Sequence, residues 1–104
     1  MAKISDSLTN RALTGVPRVV IYTTSYCPYC FRAKALLASK NVEFEEVDVT
    51  RDPERRAEME QRSTRRTVPQ IFINDQPIGG YDDARRLDAT GELDRLLAKS
   101  DETS

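Results

Sequence analysis

Residues 18–37 read Arg-Val-Val-Ile-Tyr-Thr-Thr-Ser-Tyr-Cys-Pro-Tyr-Cys-Phe-Arg-Ala-Lys-Ala-Leu-Leu, and the change of pattern within them decides the fold. Arg18 to Tyr22 is a β-branched and aromatic run behind Pro17, which suits a buried strand, and the polar Thr23, Thr24 and Ser25 end it in a turn. From Pro28 the spacing becomes helical. Cys30, Ala33, Leu36 and Leu37 fall at i, i+3, i+6 and i+7, while Arg32, Lys34 and Lys40 are left for solvent. Pro28 belongs in the first turn of that helix, where its missing N–H removes no hydrogen bond. Cys27 therefore stands at the junction of strand and helix.

Working outward, Val42 to Val49 alternates apolar and acidic residues at period two, the mark of a strand with one covered face. Asp52-Pro53 opens a helix, with Asp as N-cap, Pro at the first helical position and Glu54 near the positive end of the dipole, running to about Arg62. Gln70 to Ile73 is a short strand. It turns at Asn74-Asp75 and returns through Gln76, Pro77 and Ile78, a hairpin that ends at Gly79-Gly80. Asp82 or Asp83 is the expected cap of the next helix, whose apolar face ends at Leu87. After Thr90-Gly91, the leucines 93, 96 and 97 form a last amphipathic turn or two. The order β-α-β-α-β-β-α joins one parallel crossover to a terminal hairpin. It predicts an α/β, thioredoxin-like domain: a mixed four-stranded sheet with helices on both faces.

Composition sets the outer limits. A chain of 104 residues is about one domain's worth, and 38% hydrophobic with 32% charged residues describes an ordinary globular protein. The formal net charge of −1 supplies no field for nucleic acid or anionic lipid, so neither is an expected partner. The charge is uneven: residues 51–66 hold six arginines and four acids, a region that a small anion senses without the whole protein being basic. No stretch approaches the roughly 18–20 apolar residues of a membrane span, and residues 1–16 lack the apolar core of a secretory signal, so the cytoplasm is the expected compartment. Residues 1–16 are read as a flexible extension, 17–99 as the domain and 100–104 as a tail.

Both cysteines lie in one tetrapeptide, Cys27-Pro28-Tyr29-Cys30, which excludes a disulfide framework between distant segments. With no histidine and only two cysteines, a four-ligand structural zinc site is not expected. Residues three apart in a first helical turn have Cα atoms roughly 5–6 Å apart, inside the window of a relaxed disulfide. A sulfur at a helix N-terminus is stabilised as thiolate by unpaired N–H groups and the dipole, and the thiolate is the nucleophile in exchange. Cys27 occupies that place. Cys30, one turn in, is less exposed and is the expected resolving thiol. Gly79-Gly80 allows close backbone approach to a ligand, and the helix start at Tyr81-Asp82-Asp83 offers N–H groups to a carboxylate and acids to an amine.

Three motifs in order carry a family resemblance: Thr23 to Lys40 with Cys27-Pro28-Tyr29-Cys30, then Thr67-Val68-Pro69-Gln70-Ile71-Phe72, then Gly79-Gly80-Tyr81-Asp82-Asp83. Together they resemble a bacterial dithiol glutaredoxin, from about Arg18 to Leu97. The resemblance implies a glutathione-disulfide oxidoreductase with catalytic Cys27 and Cys30, glutathione as co-substrate and no metal, acting as a monomer. It implies a cis peptide at Val68-Pro69 and pairing of the Val68 backbone with the cysteinyl part of glutathione. It further implies a glutathione site formed by Tyr29, Arg56, Thr67, Val68, Pro69, Gly80, Tyr81, Asp82 and Asp83, the last two serving the γ-glutamyl end. Many relatives carry a lysine three residues before the nucleophile, and here that position is Thr24. Arg56 is therefore expected to carry more of the contact with the glycyl carboxylate, with Arg66 or Arg65 as nearby candidates.

The implied partners are glutathione and disulfide-bonded or glutathionylated proteins. Two alternatives stand beside this reading. One is a glutathione-ligated [2Fe–2S] cluster carrier, against which Pro28 argues, because cluster-holding relatives more often have Gly or Ser there. The other is a thioredoxin-like electron donor, against which Tyr26 and Pro28-Tyr29 argue, since thioredoxins resemble Trp-Cys-Gly-Pro-Cys.

Overall fold

Strand β1, Val19–Thr23, has all five of its side chains buried and supplies both sides of the molecule at once. The structure, a computed structural model, describes residues 17–98. The extension expected at 1–16, the tail at 100–104 and residue 99 of the expected domain lie outside the described residues. Following β1 are helix α1 (Pro28–Ser39), strand β2 (Glu45–Asp48), helix α2 (Pro53–Ser63), strands β3 (Gln70–Ile73) and β4 (Gln76–Gly79), and helices α3 (Tyr81–Ala89) and α4 (Glu92–Leu97). The four strands form one mixed sheet in the order β2-β1-β3-β4. β1 runs parallel to β2 and antiparallel to β3, and β3 and β4 form the hairpin. The α/β, thioredoxin-like architecture expected from the sequence is the one observed.

Alternation along β1 explains why helices cover both faces. Val19 and Ile21 join Ile71 and Ile73 in a core closed by Ala33 and Leu37 of α1, Ala84 of α3, and Leu93 and Leu97 of α4. Val20 and Tyr22 point the other way, into a second core with Val47, Val49, Phe72 and Met59 of α2. Tyr22 also meets Phe72 edge to face, with ring centroids 5.5 Å apart. Its hydroxyl donates to Glu58 at 2.7 Å and accepts from Arg62 at 3.0 Å, which ties α2 to the sheet through a buried ring.

Two local expectations are corrected. Pairing of β2 with β1 begins at Glu45 opposite Val20, not at Val42, because Val42 and Phe44 pack on the first core before the ladder starts. The cap of α3 is Gly80, not Asp82 or Asp83: the helix begins at Tyr81, and Asp83 stands at its third position, accepting from the Gly80 N–H at 2.9 Å. The turn between β3 and β4 follows its sequence, with Asn74 and Asp75 at φ 50° and 69°, the left-handed pair that a tight hairpin requires. No helix among the described residues is long and apolar enough to cross a membrane.

Candidate active site

The end of β1 delivers the chain to Cys27, which caps α1 with extended backbone (φ −100°, ψ 113°). Its carbonyl accepts from the N–H groups of Cys30 and Phe31, and its sulfur accepts from the Cys30 N–H at 3.3 Å. The Cys27 thiol therefore sits where the helix's free donors converge, as the strand-to-helix reading requires. Pro28 occupies the first helical position and leaves one fewer donor to satisfy.

The two thiols differ in environment. Both are free; Cys27 is partly exposed, whereas Cys30 is 1% exposed. Burial first, and then the hydrogen bond with Cys27, push the Cys30 thiol up to about 12. The physical cause is plain: an anion inside the core loses its hydration, so Cys30 stays protonated at neutral pH. Thr24, three residues before Cys27, is buried.

Opposite the thiols lies the loop before β3. Its Val68-Pro69 peptide is cis, and the Cys27 thiol reaches the Val68 carbonyl at 3.8 Å. Gln70, 1% exposed, donates its side-chain amide to the Thr67 carbonyl at 2.9 Å and to the Thr67 hydroxyl at 3.1 Å. Its Oε1 is buried with no hydrogen-bond partner among the described residues. By local pattern Gln70 is only the first residue of a strand. A polar side chain inside an otherwise apolar strand was the available signal for its part in holding the loop.

Beside Val68 opens a groove of about 300 Å³ lined by Tyr29, Arg65, Thr67, Val68, Pro69, Gly80, Tyr81, Asp82 and Asp83. Eight of the nine residues expected to hold a ligand thus lie together around one depression. Tyr29 and Tyr81 face each other across it with ring centroids 6.2 Å apart. Gly79 precedes it at φ 113°, where a Cβ would lie 2.4 Å from an Asp83 carboxylate oxygen, so both backbone and space require glycine.

The ninth residue, Arg56, is not in the lining. Its guanidinium donates to the Arg66 carbonyl at 2.7 Å and to Glu60 at 3.4 Å, bracing the chain that leads to Thr67. Arg65 lines the groove instead and donates to Asp83 Oδ2 at 2.7 Å. The Arg65 guanidinium, more than any other neighbour, holds the Asp83 carboxyl below its usual range. Among the described residues, no group of three or more Cys, Asp or Glu side chains is placed to hold a metal ion.

Comparison with known proteins agrees with this geometry. The Glutaredoxin family model matches residues 19–78. Glutaredoxin 3 of Escherichia coli K12 is 58% identical over 79 residues, which are 76% of this chain and 95% of that protein. A solved glutaredoxin from Brucella melitensis is 55% identical and superposes with a TM-score of 0.71 over 81% of this chain and 90% of its own. A further structure, from work on metal binding of glutaredoxins, is 53% identical, with a TM-score of 0.63 over 82% of this chain and 92% of its own. With two thiols at the first turn of a helix, a cis-proline loop against the outer one and these likenesses across most of its length, the chain belongs to the glutaredoxin family of glutathione-dependent thiol–disulfide oxidoreductases.

Proposed function

We propose that Cys27 is the nucleophile, that Cys30 resolves dithiol substrates, and that the groove beside Val68 holds glutathione. The observation that carries this reading is the asymmetry of the thiols: one partly exposed at a helix N-terminus against Val68, the other buried and held protonated. With a glutathionylated protein, the Cys27 thiolate attacks the glutathione sulfur, and the protein thiolate leaves reduced. A second glutathione thiolate then attacks the glutathione sulfur on Cys27, forming glutathione disulfide and freeing Cys27. No step of this route uses Cys30.

With a protein disulfide, Cys27 forms a mixed disulfide and releases one substrate thiolate. Cys30 gives up its proton, attacks Cys27 and expels the second, leaving the Cys27–Cys30 disulfide for two glutathiones to reduce. Within the groove, the Val68 backbone pairs with the cysteinyl part of glutathione and Asp82 and Asp83 meet the γ-glutamyl amine, while Arg56, on α2 outside the lining, serves the glycyl carboxylate. Tyr29, Thr67, Pro69, Gly80 and Tyr81 shape the walls. The protein acts as a monomer in the cytoplasm, without a metal.

A second reading is a glutathione-ligated [2Fe–2S] carrier formed by two copies through Cys27, kept in view by the 53%-identical relative solved in work on metal binding of glutaredoxins. Under the oxidoreductase reading, protein purified without oxygen shows no visible charge-transfer absorption. A coloured dimer that bleaches on removal of glutathione would favour the cluster.

In a glutathione-coupled assay, Cys27→Ser abolishes reduction of every substrate. Cys30→Ser retains deglutathionylation and loses protein-disulfide reduction, and loss of both activities in Cys30→Ser would contradict the assignment. Because the Cys30 pKa is about 12, ionisation of this thiol is negligible from pH 7 to 9 and rises only toward that value. Iodoacetamide therefore labels the folded, reduced chain once, at Cys27, and a second time only after denaturation, as read by mass spectrometry. Comparable labelling of Cys30 in the folded chain would overturn the order of events. Arg56→Ala raises the Michaelis constant for glutathione several-fold, and an unchanged constant removes Arg56 from the site.

A further inference from the structure

Arg65 and Asp83 meet across the groove from its two walls, and each is held on its own side. Thr64, at φ 60°, turns the chain out of α2. The Ser63 hydroxyl then accepts from the Arg65 N–H at 3.1 Å and donates to the Arg65 carbonyl at 3.1 Å, fixing the backbone from which the side chain departs. On the other wall, Asp83 Oδ2 accepts from the Gly80 N–H at 2.9 Å as well as from Arg65 at 2.7 Å. The tight packing of Asp83 over Gly79 limits any swing of the carboxylate. The result is a cation and an anion locked together at the start of α3.

That pair leaves binding capacity in reserve. A guanidinium carries five N–H donors, the contact with Asp83 uses one, and the Arg65 side chain is half exposed beside the groove. Asp82 stands next to Asp83 in the same lining and is exposed. Gly80 has no side chain to cap α3, so the first N–H groups of this nine-residue helix carry no side-chain cap. One end of the groove thus offers a cation, helix N–H donors and a second carboxylate within a few residues of one another.

We propose that Arg65 is a specificity-determining residue of the groove, its guanidinium receiving the α-carboxylate of a γ-glutamyl group while the acids of α3 take the α-ammonium. The inference rests on the groove being the glutathione site. A zwitterionic α-amino-acid end matches the Arg65–Asp83 pair charge for charge. A ligand that keeps only the amine leaves Arg65 without its anion, and one that keeps only the carboxylate leaves Asp82 without a cation. The lowered Asp83 pKa keeps the anionic half of the pair charged under mildly acidic conditions.

The test uses aryl disulfides of three peptides: γ-glutamyl-Cys-Gly, γ-aminobutyryl-Cys-Gly, which lacks the α-carboxylate, and glutaryl-Cys-Gly, which lacks the α-ammonium. Cys27 attacks the peptide sulfur, a Cys27–peptide disulfide forms, and the aryl thiolate leaves with the bonding pair, so its colour reports the second-order rate. Arg65→Ala slows transfer from the γ-glutamyl and glutaryl peptides roughly five- to tenfold and changes the γ-aminobutyryl rate by less than about twofold. Arg65→Lys recovers part of the loss. Equal slowing with all three peptides, or none with the γ-glutamyl peptide, overturns the role of Arg65 alone. A wild-type chain that transfers all three at one rate overturns the glutathione site and this inference with it.

Discussion

The burial of β1 on both faces is the constraint from which the rest of the structure follows. Its five side chains divide between two cores, so the strand is pinned from α1, α3 and α4 on one side and from α2 on the other. It is also paired along both edges, parallel to β2 and antiparallel to β3. A strand held on four sides ends at a defined place, and Thr23, fully buried with its hydroxyl on Glu46, marks that end. Cys27 emerges from it at a helix start whose position the cores have already set. Cys27 is therefore positioned by a strand buried on both faces and paired along both edges, and stands in the turn after it.

The same arrangement separates the two cysteines by environment. One helical turn carries the chain from the surface to the core, so Cys27 meets solvent and the Val68 carbonyl while Cys30 packs inside. Burial makes ionisation of Cys30 costly, whereas Cys27 is partly exposed. The loop that faces Cys27 is fixed by hydrogen bonds from a buried amide, Gln70 to Thr67, and so presents a formed wall.

Charge in this protein acts locally. The arginines of residues 51–66 are largely engaged with nearby acids, Arg55 with Glu58, Arg56 with Glu60, Arg62 with Glu58 and Asp75, and Arg65 with Asp83. Most of these pairs are exposed to water and contribute little to stability. Their effect is on direction: Arg62 lies over the Phe72 ring, 4.4 Å from its centroid, and Arg65 is turned toward the groove. The net charge of the chain describes none of this, because the potential a small ligand meets is set by the few groups within a Debye length of the groove.

Legible in the residues alone were the strand-to-helix turn at Cys27, the element order and the hairpin at Asn74-Asp75. Each of these is written in local pattern: β-branched runs, 3.6-residue spacing, proline at a helix start, residues that tolerate positive φ. The cis peptide and the grouping of Thr67 to Pro69 with Gly80 to Asp83 came through family resemblance, since no local rule brings those segments together. Which arginine lines the groove depends on the packed fold, because Arg56 and Arg65 differ in the acceptor each reaches: the Arg66 carbonyl for one, Asp83 for the other. The tertiary structure likewise decided that Gly80, rather than an aspartate, begins α3, and that Gln70 holds the loop. Local spacing sets what a segment becomes, whereas the partner of a long polar side chain depends on what the fold brings within about 3 Å of its end.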